Sequence, residues 1–346
     1  MIAVKLTKRH YGWVEEKEVI EYQLVNDQGA IFQCLNYGAV VNAILVPDHD
    51  GCLENVVLGF DKLSDYMAHP AYFGALVGRV AGRIRKGQWL NHQLTLNEKD
   101  NHIHGGENNF SQVVWQTKIV EDRTDTLGIQ FTYHSLAGEN GYPGNLAVTV
   151  TYLWTNENTW VMNVEAKTDE QTLFNPTNHT YFNLSGDTKR TIAGHQLQIF
   201  SDVYAETSKD KCPTGQLLPV IKTVYDFREP VLMRTAIEKH PNGYDTAFKL
   251  SKGIVNLNEQ ESGRRLEIQT TREAVIVFST TGMDEDYFIN GKKMCSHLGI
   301  ALETQELPDA VHHKHFQSIV LEPNKPHISQ TIYRFPVQRN LSVHKL

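Results

Sequence analysis

The chain has 346 residues, a formal net charge of −7, 40% hydrophobic residues and 21% charged residues. This balance excludes a disordered chain, and no stretch approaches the roughly 20 apolar residues of a membrane-spanning helix. The acidic charge argues against nucleic acid or an anionic membrane as partner, and the length suffices for a core without disulfides or metal.

Residues 1–16 hold no apolar core long enough for a signal peptide. Cys34, Cys52, Cys212 and Cys295 form no CxxC motif, so free thiols in a reducing cytoplasm are expected. Apolar and β-branched runs at 30–46 and 127–133 read as strands, with a short helix over 62–69 between them. Residues 146–154, LAVTVTYLW, alternate strictly. Leu146, Val148, Val150, Tyr152 and Trp154 fall on one face of a half-buried strand. Trp160, Met162, Val164 and Ala166 repeat the pattern after the polar turn TNEN, which predicts an antiparallel hairpin. Further strand runs lie at 197–200, 274–280 and 331–337, and a second short helix at 231–239. Many short strands, no βαβ alternation and no linker predict one all-β domain over 1–346, a sandwich or barrel.

Five segments carry groups capable of chemistry. In a strand, His102 and His104 share a face, which suits either a metal or two ordinary polar histidines on an edge strand. Residues 175–184, NPTNHTYFNL, crowd hydrogen-bonding groups among apolar ones, which a ligand or a turn must satisfy. Glu303 lies in the segment LETQ, 302–305, just after the apolar run 298–301. A carboxylate at the end of a buried strand is costly unless paired or functional, unless the strand simply reaches the surface. In GRVAGRI, 78–84, glycines flank Arg79 and Arg83. The segment is not a phosphate loop, since no GK[ST] follows, and a turn with solvated arginines fits it equally. The run 311–315, VHHKH, reads as a solvated loop.

Taken in order, GRVAGRI (78–84), IHGG (103–106), NGYPG (140–144), NPTNHTYFNL (175–184), GYDTAF (243–248) and LETQELPDA (302–310) resemble the aldose 1-epimerases, or galactose mutarotases. The resemblance spans roughly 30–335. It implies a large antiparallel β-sandwich, the galactose-mutarotase-like supersandwich, with an open cleft on one sheet. It implies Glu303 as general base, His179 as general acid, and His104, Arg83 and Asp245 as the groups that hold sugar hydroxyls. It also implies a monosaccharide substrate, no cofactor or metal, and a monomer or homodimer. One departure stands out. The family often carries an aromatic after the strand at 274–280, where this chain has Ser279-Thr280-Thr281-Gly282-Met283.

The implied reaction interconverts the anomers of a free hexose. A base removes the C1 hydroxyl proton, an acid protonates the ring oxygen, and reclosure reverses the roles. An ionised Glu303 beside His179 is expected to keep the imidazole charged. A hexose 6-phosphate epimerase would need further cations, for which Arg79 and Arg85 are candidates. A non-catalytic sugar binder on the same fold would lack Glu303 or His179, and both are present.

Overall fold

The computed structural model describes residues 4–69, 71–123 and 125–336. Among these, three antiparallel sheets dominate. A five-stranded sheet runs in chain order from Lys5–Val14 to Leu53–Asn55. A nine-stranded sheet has as its third and fourth strands the predicted hairpin, Leu146–Thr155 paired with Thr159–Thr168. Its register sets Trp154 opposite Trp160 and Val150 opposite Val164. The face predicted to be apolar is the buried one along the whole strand. A six-stranded sheet takes the order Tyr181–Phe182, Ile300–Gln305, Ala274–Ser279, Asp245–Lys249, Val203–Thr207, Pro213–Pro219.

One hydrophobic cluster joins the three sheets. Leu24, Phe32 and Val41 come from the first, Trp154 and Trp160 from the second, and Val275, Val277 and Leu302 from the third. This is the β-sandwich that the sequence implies. Helix is confined to short pieces, including Leu63–Ala68 and Met233–Lys239, close to the two predicted spans. The strand read at 331–337 is the end of a longer one, His327–Arg334, and Val337 lies outside the described residues.

The six-stranded sheet positions the site. Its strands have two distinct faces, because successive side chains alternate. Leu302, Val275, Val277 and Phe248 point into the shared core. Pairing sets Ile276 opposite both Glu303 and Ala247, and Phe278 opposite both Ala301 and Asp245. Glu303, Ile276, Ala247, Phe278 and Asp245 therefore share the other face, and all five line one cavity.

Candidate active site

The cavity has a volume of about 350 Å³. Glu303, His179, His104, Arg83 and Asp245, which lie far apart in the chain, all line it. Glu303 sits inside a strand buried at every position, rather than at a strand end near the surface. His179 reaches it from the segment leading into the Tyr181–Phe182 strand, the neighbour of Ile300–Gln305. Its Nε2 stands 3.3 Å from Glu303 Oε1, with the two residues 4% and 3% exposed.

Burial raises the Glu303 carboxyl well above the usual carboxylate range; the Asp245 charge adds to the rise and Arg83 opposes it. Burial also lowers His179 to about 4, while Asp245 works to raise it. The environment thus disfavours the charged forms of both, against the sequence expectation of a stably charged imidazole. A single proton shared by the two satisfies both tendencies as the neutral pair, Glu303 protonated and His179 neutral; moving that proton to His179 gives the higher-energy ion-pair tautomer.

Arg83 starts one side wall. Its Nε and Nη2 donate to Glu98 Oε2 and Oε1 at 2.6 and 2.8 Å, and Nη1 lies 3.7 Å from Asp245 Oδ2. Lys211 Nζ donates to the same Asp245 oxygen at 3.0 Å. Glu98 and Lys211 both line the cavity and were not marked by any local pattern. Arg79, four residues before Arg83, does something else. It is buried, and its guanidinium donates to Ser135 Oγ and to the carbonyls of Ser135, Leu136 and Pro143. The solvated turn that sequence allowed for these arginines does not occur.

The two-histidine face expected at His102 and His104 does not form either. The strand ends at Ile103, and His104 turns into the left-handed region at φ 50. His102 is buried, with Nδ1 on the Thr95 carbonyl and Nε2 on the Tyr142 hydroxyl. Only His104 lines the cavity. The Gly82 N–H donates to its Nδ1 at 3.2 Å, which leaves the ring proton on Nε2. Burial holds this ring neutral, its pKa well below the ordinary value. Gly105 follows at φ 87, and a Cβ there would lie 1.8 Å from the Gly78 carbonyl oxygen. The two glycine segments of the sequence are therefore packed backbone to backbone, which only glycine allows. Among the described residues, no three His, Cys, Asp or Glu side chains are grouped as metal ligands.

The aromatic absent near Gly282 has counterparts elsewhere. Tyr72, Tyr181 and Phe278 line the cavity, as does Met283. Gln305, two positions beyond Glu303 on the same strand face, lines it as well, and its amide has no partner among the described residues. The run 311–315 is a loop built on the short turn Ala310–His312, as expected, tied by His313 and His315 to the carbonyls of Pro213 and Gly215. Arg85 donates to the Pro213 carbonyl and does not line the cavity.

Comparison with known proteins identifies the family. Residues 21–334 match the family model described as aldose 1-epimerase. An aldose 1-epimerase of Streptococcus thermophilus is 34% identical over 336 residues, covering 92% of this chain and 95% of its own. A galactose mutarotase of Mus musculus is 36% identical over 332 residues, with 92% and 94% covered. The crystal structure of a galactose 1-epimerase from Lactobacillus acidophilus superposes with a TM-score of 0.86 at 30% identity, covering 96% of this chain and 99% of that one. The chain belongs to the aldose 1-epimerase family and is an isomerase that acts as a sugar mutarotase.

Proposed function

We propose that this chain, working as a single domain, interconverts the α and β anomers of free hexoses, galactose first and glucose with it. The observation that carries this reading is the buried contact of 3.3 Å between His179 Nε2 and Glu303 Oε1 at the floor of the cavity. In the ion-pair tautomer, Glu303 takes the C1 hydroxyl proton as His179 protonates the ring oxygen and the C1–O5 bond breaks. The open aldehyde rotates about C1–C2. Closure then runs with His179 as base and Glu303 as acid, so the pair regains its starting state.

Arg83 favours the Glu303 carboxylate of the working tautomer, and Asp245 favours its His179 imidazolium while opposing the carboxylate. Together with His104 they hold the other hydroxyls and leave C1 free to turn. The Nε2 proton of His104 is a donor, and Asp245 and Glu98 are acceptors.

The cavity lining favours an uncharged sugar over a 6-phosphate. Among the described residues it carries the cations Arg83 and Lys211 against the carboxyl groups of Glu98, Asp245 and Glu303. Both cations contact carboxylates, and Arg79 and Arg85 are occupied away from the lining.

Glu303→Gln tests the assignment. Polarimetry on freshly dissolved α-D-galactose should show kcat reduced by at least about 100-fold, with sugar binding largely kept. A near-normal rate removes Glu303 from the mechanism. Rates on galactose, glucose and glucose 6-phosphate, compared side by side, decide the substrate class.

A further inference from the structure

His179 must carry a proton for ring opening, yet it lies in a place where burial works against the charge. The groups packed around it explain how it can. The Tyr181 ring centroid is 4.9 Å from that of His179, at 39° between planes. The Tyr72 centroid is 5.9 Å away at 30°. Phe278 stands edge-on at 6.3 Å, and His104 edge-on at 5.6 Å. Two phenol rings thus stand, tilted, with their centroids within about 6 Å of the imidazole, the distance range at which an aromatic ring attracts a cation.

The placement of Tyr72 is maintained against a backbone cost. It adopts φ 59, in the left-handed region, where a non-glycine residue persists only if its surroundings enforce it. The enforcement comes from the His179 segment itself. Tyr181 Oη donates to the Ala71 carbonyl at 3.0 Å, and the Gly74 N–H donates to the His179 carbonyl at 3.1 Å. Asn178 Nδ2 donates to the Gly74 carbonyl at 2.9 Å.

We propose that Tyr72 is a positioning residue for the catalytic proton: with Tyr181, its ring face holds the imidazolium of His179 while Glu303 acts as base. This rests on the proton-pair reading above. The charged and titratable groups facing His179 from its neighbours are Glu303, Asp245, His104, Tyr181 and Tyr72, with Arg83 across the cavity. Of these, the tyrosines stabilise the cation without holding a charge that a sugar hydroxyl would neutralise.

The test compares Tyr72→Leu, Tyr72→Phe and a ring-fluorinated phenylalanine at position 72, each by the pH profile of kcat/KM and the NMR titration of the His179 ring. Loss of the aromatic face should move the acid limb, which reports protonation of His179, down by about half a unit to one unit and lower kcat about 3- to 10-fold at pH 7. Tyr72→Phe should keep the limb in place, and fluorination should move it down again with the ring shape unchanged. An unshifted limb in both the leucine and the fluorinated variants overturns the proposal, and so does a phenylalanine variant that behaves like leucine. A change confined to KM overturns it in favour of a sugar platform. Should Tyr72→Leu fail to fold, the fluorinated variant carries the comparison alone. An active Glu303→Gln would refute the proton pair itself, which an unshifted Tyr72 profile would not.

Discussion

Arg79 and Arg83 show how far one residue type can diverge over four positions. The Arg79 guanidinium is buried and satisfies three main-chain carbonyls and two hydroxyls. Its removal leaves several buried acceptors unpaired, each costing about 1–3 kcal/mol. Arg79→Met should lower the urea-derived unfolding free energy by at least about 3 kcal/mol. Arg83 makes its contacts at the cavity, with Glu98 and Asp245. Arg83→Met should instead raise KM for galactose by about 10-fold or more while the urea midpoint moves little. If Arg79→Met proves as stable as the wild type, the carbonyl cluster does not anchor the loops it joins.

At the scale of the element, the Ile300–Gln305 strand separates stability from catalysis by alternation. Leu302 faces the core shared by the three sheets, and Glu303 faces the cavity. Leu302→Ala should cost about 2–5 kcal/mol through lost transfer energy and a residual cavity. Its kcat, measured on the folded fraction, should stay within a few-fold of wild type. Glu303→Gln should do the reverse. It removes a buried carboxyl whose ionised form is costly, so its thermal midpoint should equal or exceed that of the wild type. Differential scanning fluorimetry of the two variants checks both. The strand pattern itself was legible: the hairpin at 146–166 formed with the predicted faces, because a two-residue period is a local property of the chain. The histidine pair at 102 and 104 was misread, because the strand stops at Ile103 and the positive φ at His104 swings that ring away from His102.

For the whole molecule, buried neutral histidines govern acid stability. His102 and His195 are fully buried, and burial lowers each to about 4. In the unfolded chain each titrates near 6.5. As pH falls, the unfolded chain therefore takes up protons first. Their contribution is fully present above about 6.5 and is lost as pH falls towards 4. At pH 5 the loss is roughly 2 kcal/mol for each ring. Glu303 has the opposite sign, since a raised carboxyl favours the folded state at low pH and loses that advantage as pH rises. Urea titrations at pH 7.5 and pH 5 should show a fall in stability. His102→Asn should make that fall smaller, and an unchanged fall would remove His102 from the effect.

The sequence by itself determined the all-β class, the hairpin at 146–166, and the motifs that carry Glu303, His179, His104, Arg83 and Asp245, but not Glu98, Lys211 or Tyr72. Each rests on local information: side-chain alternation, turn chemistry, or a short ordered motif. Glu303 and His179 were legible as chemical groups in this sense, although each alone had an ordinary reading. Tertiary structure decided everything that depends on which strands lie side by side. It brought two residues 124 positions apart to 3.3 Å and buried them together, which is what disfavours their charges. It turned Arg79 into the core and Arg83 into the cavity, paired Arg83 with Glu98, and set Tyr72 against His179. Such contacts arise from sheet pairing and loop packing across long separations, where burial and geometry have no signature in the neighbouring residues.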